Sequence, residues 1–258
     1  MQTYKESKPS FSVVTVVLNN LEGLKKTLES YKALTYPHKN LSIVDGYSND
    51  CTRGFLMNLN SQTDIEWVSE RDKGLYYAMN KGLQAAQGDY IIFMNGGDIF
   101  HEASTLSKVA QLINTQNQPD VVYTSAYICF PKGSKRLRRA RSSKSIWHGQ
   151  PAIHQATYFK RLSHLKFEYD TEFRISADYN LIARMHKKGL NTCSDPAIIS
   201  CQFKTDVHSV SATNKKQLAI DNAKTQLKVL ELNRSVVLCS FIRRTVAMSV
   251  VALRRYFS

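Results

Sequence analysis

Apolar and polar residues follow two periods in alternation along the first hundred residues of this 258-residue chain. Short runs of β-branched and other apolar residues predict strands covered on both faces. These runs are Phe11–Leu18, Leu41–Val44, Ile65–Val68 and Tyr90–Met94. Between them, apolar residues at intervals of three and four predict helices at Leu21–Ala33, Arg53–Asn60 and Tyr77–Gln87. Such an alternation with short connections is typical of an α/β fold with a mainly parallel sheet.

The pattern after residue 100 is less regular. It predicts helices at Ser104–Asn114 and Ser176–Lys188, with Ser176 as the N-cap of the second. Strands are predicted at Val121–Ala126 and Ile153–Arg161, with a polar, basic connection between them. From about residue 213 the sequence is mostly helical in character.

Polar side chains stand at the ends of the predicted strands or in the turns that follow. They are Asn19, Asp45, Asp72 and Asp98. Ligands of open α/β sheets bind outside the carboxyl ends of the strands, so these residues are candidates for a binding site. Asp45 could accept a hydrogen bond from a pyrimidine imide or a ribose hydroxyl, or it could form an Asx-turn with Ser48–Asp50.

Several common site motifs are absent from the sequence. It contains no GxGxxG and no GxxxxGK[ST], which removes the main support for a dinucleotide fold or a P-loop. It also contains no HExxH and no GxSxG. The five cysteines are scattered without zinc spacing, which predicts reduced thiols in a cytosolic protein. The first ten residues have no apolar run typical of a secretory signal.

The net charge of +14 indicates a polyanionic partner, a membrane surface or a phosphate-bearing ligand. Part of it lies in Lys132–Lys144, where seven of thirteen residues are basic. This segment is interpreted either as a contact for a lipid pyrophosphate or anionic glycan, or as a solvated connection. No RNA- or DNA-binding motif supports a nucleic-acid partner.

Four segments in order resemble the family 2 glycosyltransferases, whose fold is called GT-A. They are FSVVTVVLNN, LSIVDGYSNDCT, SERDKGLYYAMNKGLQAAQGDYIIFMNGGD and FRISADYNLIARMHKKG. They span about Phe11 to Gly189 with the family's spacing. The resemblance is strongest to the branch that acts in bacterial capsule, colanic-acid and lipopolysaccharide assembly.

The resemblance implies a Rossmann-like mixed sheet, mainly parallel, flanked by helices and followed by a C-terminal helical extension. We accordingly predict a glycosyltransferase domain at 1–212 and the extension at 213–258. Within the domain, the nucleotide-binding half is expected at about 11–100 and the acceptor half at about 101–212.

The resemblance also implies roles for individual residues. Asp178 matches the family's catalytic base, and His154 and Gln155 match a segment on the acceptor side. Asp98 lies where the family's metal motif is expected. The residues expected to contact the nucleotide sugar are Leu18, Asp45, Asp72, Asn80, Lys81 and Asn95.

The chemistry that the resemblance implies is direct inversion, in which the base deprotonates an acceptor hydroxyl that attacks the anomeric carbon. The expected donor is a nucleotide sugar, with a UDP-sugar as first choice, and the expected cofactor is Mg²⁺ or Mn²⁺. Asp98 alone suffices as the protein carboxylate, because Mg²⁺ is often held by one or two carboxylates and substrate phosphates. Asn95 could add a neutral oxygen, and His208 is a further possible ligand.

Three positions depart from the family's pattern. Gly96 and Gly97 stand where the branch often has an Ala-Gly or Ser-Asp pair, and they either admit a phosphate or sugar close to the backbone or make a tight turn. Tyr77 replaces an aspartate of the branch's motif, and Ala177 stands before Asp178 where many members have glutamate.

The segment 235–258 has apolar residues on one helical stripe. Arginine pairs at 243–244 and 254–255 lie on the opposite side, and the uncharged run between them is too short to span a bilayer. This is typical of an interfacial helix on an anionic membrane leaflet, and packing on the domain or on a partner subunit is the alternative. The apolar stripe consists of Leu238, Phe241, Ile242, Val246, Ser249, Ala252, Leu253 and Phe257.

The sequence therefore predicts an inverting glycosyltransferase that acts on a lipid-linked or other glycan precursor. We expect it in the cytoplasm, peripherally associated with the inner face of a bacterial cell membrane. One alternative is a sugar-nucleotide nucleotidyltransferase, which would need a Gly-rich basic loop after the first strand, where the chain has Leu18–Leu21. The other is a catalytically degenerate module that binds polyanions or nucleotides.

Overall fold

The computed structural model describes residues 8–59, 64–130, 133–204 and 214–242. In these residues nine strands form one mixed sheet. They are β1 Phe11–Val17, β2 Lys39–Asp45, β3 Ile65–Ser69, β4 Tyr90–Phe93, β5 Ile99–Phe100, β6 Val121–Cys129, β7 Lys135–Arg138, β8 Thr157–Lys160 and β9 Thr192–Lys204. Their order is β3-β2-β1-β4-β8-β6-β9-β5, and β7 pairs with β6.

Helices cover this sheet. They are α1 Leu21–Lys32, α2 Thr52–Met57, α3 Leu75–Ala85, α4 Thr105–Thr115, α5 Arg161–His164, α6 Ala177–Lys187 and α7 Lys215–Lys224. Short 3-10 helices occupy Ser143–His148 and His154–Ala156, and a π-helical turn follows α7 at Thr225–Val229. The last described residues, 234–242, are also helical.

The first four strands are parallel neighbours, as the sequence predicts. Every residue of β1 is buried, because β1 lies in the middle of the sheet with α3 packed against it. A Cβ atom added at Gly82 would lie 2.2 Å from Cγ1 of Val14, so only glycine permits this approach of α3 to the sheet. In α3, Met79 and Leu83 are buried core residues, whereas Leu75 is 41% exposed.

The second half departs more from the prediction. The segment predicted as a strand at Ile153–Arg161 is a strand only at Thr157–Lys160, because a 3-10 helix precedes it. The predicted basic connection contains β7, and the thirteen-residue β9 was not predicted. β9 mixes buried and exposed positions without a clean period and contains Pro196, so its sequence lacks a strand signature.

The described part of the C-terminal extension packs on the domain. The Ile175 amide donates a hydrogen bond to Oδ2 of Asp221 in α7 (3.0 Å). Nε2 of Gln226 donates to the Trp147 carbonyl (2.7 Å) and to Oγ of Ser240 (2.8 Å). The predicted boundary at residue 212 lies outside the described residues. Among the described helices, none combines the length and apolar character needed to cross a bilayer.

Candidate active site

A cavity of about 850 Å³ lies between the turn after β4 and the first turn of α6. We call it the central cavity. It brings together predicted site residues from distant parts of the sequence. The other predicted site residues that the structure describes do not line this cavity. Those on its wall are Asn95, Asp98, His154, Gln155 and Asp178.

The turn that carries Asp98 is tight and internally bonded. The Asp98 amide donates to the Asn95 carbonyl (2.9 Å), and Gly97 between them has φ +110°. The Gly97 amide donates to Oγ1 of Thr27 in α1 (2.9 Å), which in turn donates to the Asp98 carbonyl (2.8 Å). Gly97 is therefore required by backbone geometry, because side-chain-bearing residues rarely adopt this φ.

The Asp98 carboxyl is buried, and this burial raises its pKa above the usual range. Nearby His154 and two hydrogen bonds oppose that shift. Oδ2 accepts from the Asn95 amide (2.9 Å) and from Nε2 of Gln155 (3.1 Å). Burial thus works against the charge of Asp98, and the surrounding protein compensates for this only in part.

The His154 ring lies between the Asn95 amide and the Asp178 carboxylate. Its Nε2 lies 3.2 Å from Nδ2 of Asn95, and its Nδ1 lies 3.7 Å from Oδ2 of Asp178. Both ring nitrogens of His154 therefore face polar groups of the site.

Asp178 lies in the first turn of α6, where the helix dipole favours a negative charge. Its Oδ1 accepts from the Tyr179 amide (2.9 Å). The predicted N-cap residue Ser176 takes the N-cap position, but its side chain makes no capping bond. Burial, and after it the charge of Asp178, raises the pKa of Tyr76 and Tyr169 well above the usual range. Both phenols are therefore neutral neighbours of the carboxylate.

The oxygen atoms next to Asp98 fit a divalent cation only in part. Oδ1 of Asn95 is buried and has no hydrogen-bond partner in the structure. With Asp98 it offers one neutral and one anionic oxygen, which suits Mg²⁺ or Mn²⁺ when a phosphate ligand completes the coordination. The described residues include no cluster of three or more His, Cys, Asp or Glu side chains able to hold a metal ion. His208 lies outside the described residues.

Asp45 lies at the end of β2 and is completely buried. Its Oδ2 accepts from the Ser48 amide (3.0 Å) and from Oγ of Ser69 (2.6 Å), while Oδ1 accepts from Oγ of Ser48. The Asx-turn that the sequence allowed is therefore formed. A contact between Asp45 and a nucleotide base stays a prediction.

Three further residues predicted to contact the nucleotide sugar form bonds within the protein. Nζ of Lys81 forms ion pairs with Asp72 (2.5 Å) and Glu70 (2.8 Å). Asn80 donates from Nδ2 to the Tyr169 carbonyl and accepts from the Tyr169 amide, each at 2.9 Å. In this structure Asn80 thus joins α3 to the loop before α6, and its role toward a donor stays a prediction.

Leu18 is 60% exposed at the end of β1, and its proposed contact with a base stays a prediction. Sequence reasoning missed the neighbouring Tyr47, whose φ is +67°. The Arg53 guanidinium lies 4.0 Å from the Tyr47 ring centroid, and that of Arg71 lies 5.5 Å away. The position of Tyr47, two residues after Asp45 in a turn, was the available signal.

Sequence reasoning also missed Asn20. Its Oδ1 accepts from the Gly23 amide (3.0 Å), which caps α1, and its Nδ2 donates to the Gly96 carbonyl (2.9 Å). One side chain thus connects the start of α1 to the turn that carries Asp98. An asparagine directly before a helical period is an N-cap signal, so the cap could have been predicted, although the second bond could not.

Comparison with known proteins identifies the family to which the chain belongs. A model of the family described as "Glycosyl transferase family 2" matches residues 12–180. An uncharacterized glycosyltransferase of Mycobacterium tuberculosis (strain H37Rv) is 30% identical over 206 residues, which cover 77% of this chain and 76% of the relative. The PGL/p-HBAD biosynthesis glycosyltransferase of M. tuberculosis (strain H37Ra) is 28% identical over 197 residues, 74% of this chain and 73% of its own.

A shorter match links the chain to the putative teichuronic acid biosynthesis glycosyltransferase TuaG of Bacillus subtilis. It is 32% identical over 94 residues, 35% of this chain and 37% of TuaG.

Solved structures share the fold. Residues 1–349 of S. aureus TarS, crystallised with UDP-GlcNAc, superpose with a TM-score of 0.67 at 13% identity, covering 88% of this chain and 69% of that one. The mannosyltransferase PcManGT of Pyrobaculum calidifontis, in complex with GDP-Man and Mn²⁺, gives a TM-score of 0.65 at 13% identity, covering 97% and 81%. The mixed, mainly parallel sheet predicted from sequence is thereby confirmed. Together with the family match and the relatives, the fold shows that this chain is a glycosyltransferase and belongs to glycosyl transferase family 2.

Proposed function

We propose that the enzyme transfers a sugar, with inversion, from a nucleotide-sugar donor to a hydroxyl of a surface-polysaccharide precursor. The observation that carries this proposal is the joint presence of Asp98 and Asp178 on the wall of one cavity. A UDP-sugar is our first choice of donor, and neighbours in complex with UDP-GlcNAc and GDP-Man support the nucleotide-sugar class. The name of TuaG supports the polysaccharide class of acceptor.

In this mechanism Asp178 is the general base. As the acceptor oxygen attacks the anomeric carbon, its proton passes to the Asp178 carboxylate, and the bond between that carbon and the diphosphate oxygen breaks. The His154 ring lies beside this carboxylate, with Nδ1 3.7 Å from Oδ2 of Asp178. Attack opposite the leaving group inverts the configuration at the anomeric carbon, so no covalent intermediate with the enzyme is needed.

The leaving diphosphate is expected on the Asp98 side of the cavity. Asp98 and Oδ1 of Asn95 would hold Mg²⁺ or Mn²⁺, which when bound neutralises the charge that develops on the diphosphate. Gln155 and the Asn95 amide fix the orientation of the Asp98 carboxylate by hydrogen bonds to Oδ2. The tight turn at Gly97 places this group at the cavity wall.

Replacing Asp178 by Asn tests the role of the base. The expected result is a fall in the transfer rate by about 10²–10⁴-fold, because general base catalysis contributes that much, with donor affinity nearly unchanged. The measurements are release of nucleoside diphosphate and calorimetric binding of a panel of UDP- and GDP-sugars with Mn²⁺. Glu172→Gln, an exposed acid in the loop before α6, is the matched control and should behave as wild type.

The outcomes separate this proposal from its rivals. Wild-type turnover by Asp178→Asn would remove it as the base. Donor binding without transfer or hydrolysis in the wild type, with either metal, would indicate the degenerate module. A nucleotidyltransferase would instead form nucleotide sugar from a sugar phosphate and a nucleoside triphosphate, which the turn after β1 disfavours because it has no glycine-rich loop.

We also propose that the C-terminal extension contacts the anionic inner leaflet of the cell membrane, where a lipid-linked acceptor would be found. Its supporting observation is the exposure of Leu238 (59%), Phe241 (47%) and Ile242 (50%) on the last described helix. The arginines at 243–244 and 254–255 and the rest of the predicted stripe lie outside the described residues.

Vesicle sedimentation tests this contact. Wild type should bind phosphatidylglycerol vesicles more than phosphatidylcholine vesicles, and Leu238→Glu should lose most of that binding, because the apolar face can no longer enter the interface. Leu162→Glu is the control, since Leu162 is 61% exposed elsewhere on the domain. Equal binding by all three proteins would contradict the proposal.

A further inference from the structure

Four basic side chains line the central cavity together with Asp98 and Asp178. They come from the end of β7, from the stretch after it, from the loop before α6 and from the end of β9. We call them the basic wall; they are Arg138, Arg141, Arg174 and Lys204. The sequence placed only the first two in a basic segment and gave no sign that Arg174 and Lys204 would join them.

The two arginines from the predicted basic segment converge on one neutral acceptor. Nη2 of Arg138 lies 3.1 Å and Nη2 of Arg141 lies 2.5 Å from the carbonyl oxygen of Gln150. Burial, with a contribution from the neighbouring Arg136, lowers the pKa of the Arg138 guanidinium. Two cations thus lie side by side in a partly buried position, an arrangement that a bound anion would stabilise.

Neighbouring carboxylates do not balance this charge. Among residues that the structure describes, no Asp or Glu forms an ion pair within 4.0 Å with Arg138, Arg174 or Lys204. The two acids on the cavity lining accept bonds from other groups: Asp98 from Gln155, and Asp178 from the Tyr179 amide. The cavity therefore carries more cationic than anionic side chains.

The position of the basic wall relates it to the acceptor. All four residues follow β5 in the sequence and so belong to the half expected to bind the acceptor. Arg174 lies four residues before Asp178 on the segment that enters α6. An anion held here would lie beside the carboxylate that receives the acceptor proton, not at the ends of β1–β3.

We propose that the basic wall binds a phosphate or diphosphate group of the acceptor. The inference rests on the proposed function and narrows it to acceptors that carry such a group near the reacting hydroxyl. Guanidinium groups suit this ligand, because each offers two parallel N–H donors to phosphate oxygens. The anion would supply acceptor oxygens in addition to the Gln150 carbonyl, to which Arg138 and Arg141 both donate.

The test is calorimetric titration of the full chain with inorganic pyrophosphate in buffer containing EDTA. Without a divalent cation, Asp98 cannot recruit the anion, so binding reports on the basic wall. Wild type should bind one equivalent of pyrophosphate with an affinity that falls as the salt concentration rises. The double variant Arg138→Ala/Arg141→Ala should bind at least about tenfold more weakly. Arg139→Ala is the matched control, because Arg139 is exposed on the same segment and lies off the cavity lining.

A second pair of variants guards against misfolding. The exposed side chains of Arg174 and Lys204 can be truncated to alanine singly, and each should weaken pyrophosphate binding several-fold without a change in Tm. If Arg139→Ala weakens binding as much as these variants, the wall is only general positive charge and the proposal is overturned.

A competition arm distinguishes acceptor from donor. Saturating UDP or GDP with Mg²⁺ should leave pyrophosphate binding intact if the wall serves the acceptor, whereas its loss would assign the wall to the donor diphosphate and overturn the proposal. Absence of nucleotide binding would instead count against the proposed function. The two failures are therefore separable.

Discussion

The two halves of the domain differ in how their polar side chains are hydrogen-bonded and charged. In the first half, the residues at the strand ends mostly bind one another: Asp45 binds Ser48 and Ser69, and Lys81 pairs with Asp72. At the central cavity, burial raises the pKa of Asp98, and Oδ1 of Asn95 has no hydrogen-bond partner in the structure.

The first half therefore provides a preformed support for a ligand, whereas the cavity carries the charged groups of the proposed reaction. The first half offers a preformed sheet edge whose loops are held by internal hydrogen bonds, so ligand binding there need not order the chain. On the cavity wall, burial works against the charge of Asp98, and the four side chains of the basic wall outnumber the two carboxylates. Such incomplete satisfaction costs stability and is expected where a ligand completes the site.

Asp98→Asn should have the largest effect on the cavity side. Metal-dependent donor affinity should fall at least about tenfold, because a ligand carboxylate is lost. Stability should change in the opposite direction. Burial raises the pKa of Asp98, so its ionised form destabilises the fold at neutral pH, and the neutral variant should have a higher Tm.

Titrating donor binding with Mn²⁺ and measuring Tm at pH 7 check both effects. An unchanged metal titration would reject Asp98 as a ligand. A lower Tm would show that hydrogen bonds to the carboxylate outweigh its desolvation.

Asp45→Ala should have its main effect on the first half. The free energy of unfolding should fall by about 3 kcal/mol, because buried bonds to a charged acceptor are lost and their donors remain unsatisfied. Urea denaturation measures the loss. If stability is retained and only donor affinity falls, Asp45 serves the ligand and not the loop.

A third prediction concerns His164, which lies where the two halves of the domain pack together. Its ring packs between Phe93 of β4 and Phe159 of β8, and neither ring nitrogen has a hydrogen-bond partner in the structure. Burial lowers its pKa to about 4, so the folded state holds the neutral ring. The unfolded chain takes up the proton first, near pH 6.5, and the folded protein therefore loses stability as pH falls from about 6.5 to about 4.

The expected loss is about 3 kcal/mol over that window. Denaturation at a series of pH values should show this slope in the wild type and a smaller one in His164→Leu. Equal slopes would mean that another group dominates.

Lys81→Met should have the smallest effect on stability. Its ion pairs with Glu70 and Asp72 are partly exposed, so the free energy of unfolding should change by less than about 1 kcal/mol. If Lys81 contacts the donor as predicted, the dissociation constant of a nucleotide sugar should nevertheless rise. An unchanged constant would leave Lys81 a surface residue.

The first half of the domain was easier to predict from the sequence than the second half. The strands β1 to β4 and the helices between them were predictable, since each is a continuous apolar run or a clear helical period. β9 was not, because its burial alternates irregularly and is set by β6 and β5 on its two sides. The predicted strand from Ile153 shortened to Thr157–Lys160 because a 3-10 helix at His154–Ala156 precedes it.

By itself, the sequence determined the parallel first half, the family and the candidate carboxylates Asp98 and Asp178, because these depend on local periods and contiguous motifs. Only the tertiary structure decided which of those candidates share a cavity. It set His154 between Asn95 and Asp178 and turned Arg174 toward the same wall as Arg138. These spatial contacts depend on strand order and on the path of the chain after β4, so they cannot be predicted from any short segment of sequence.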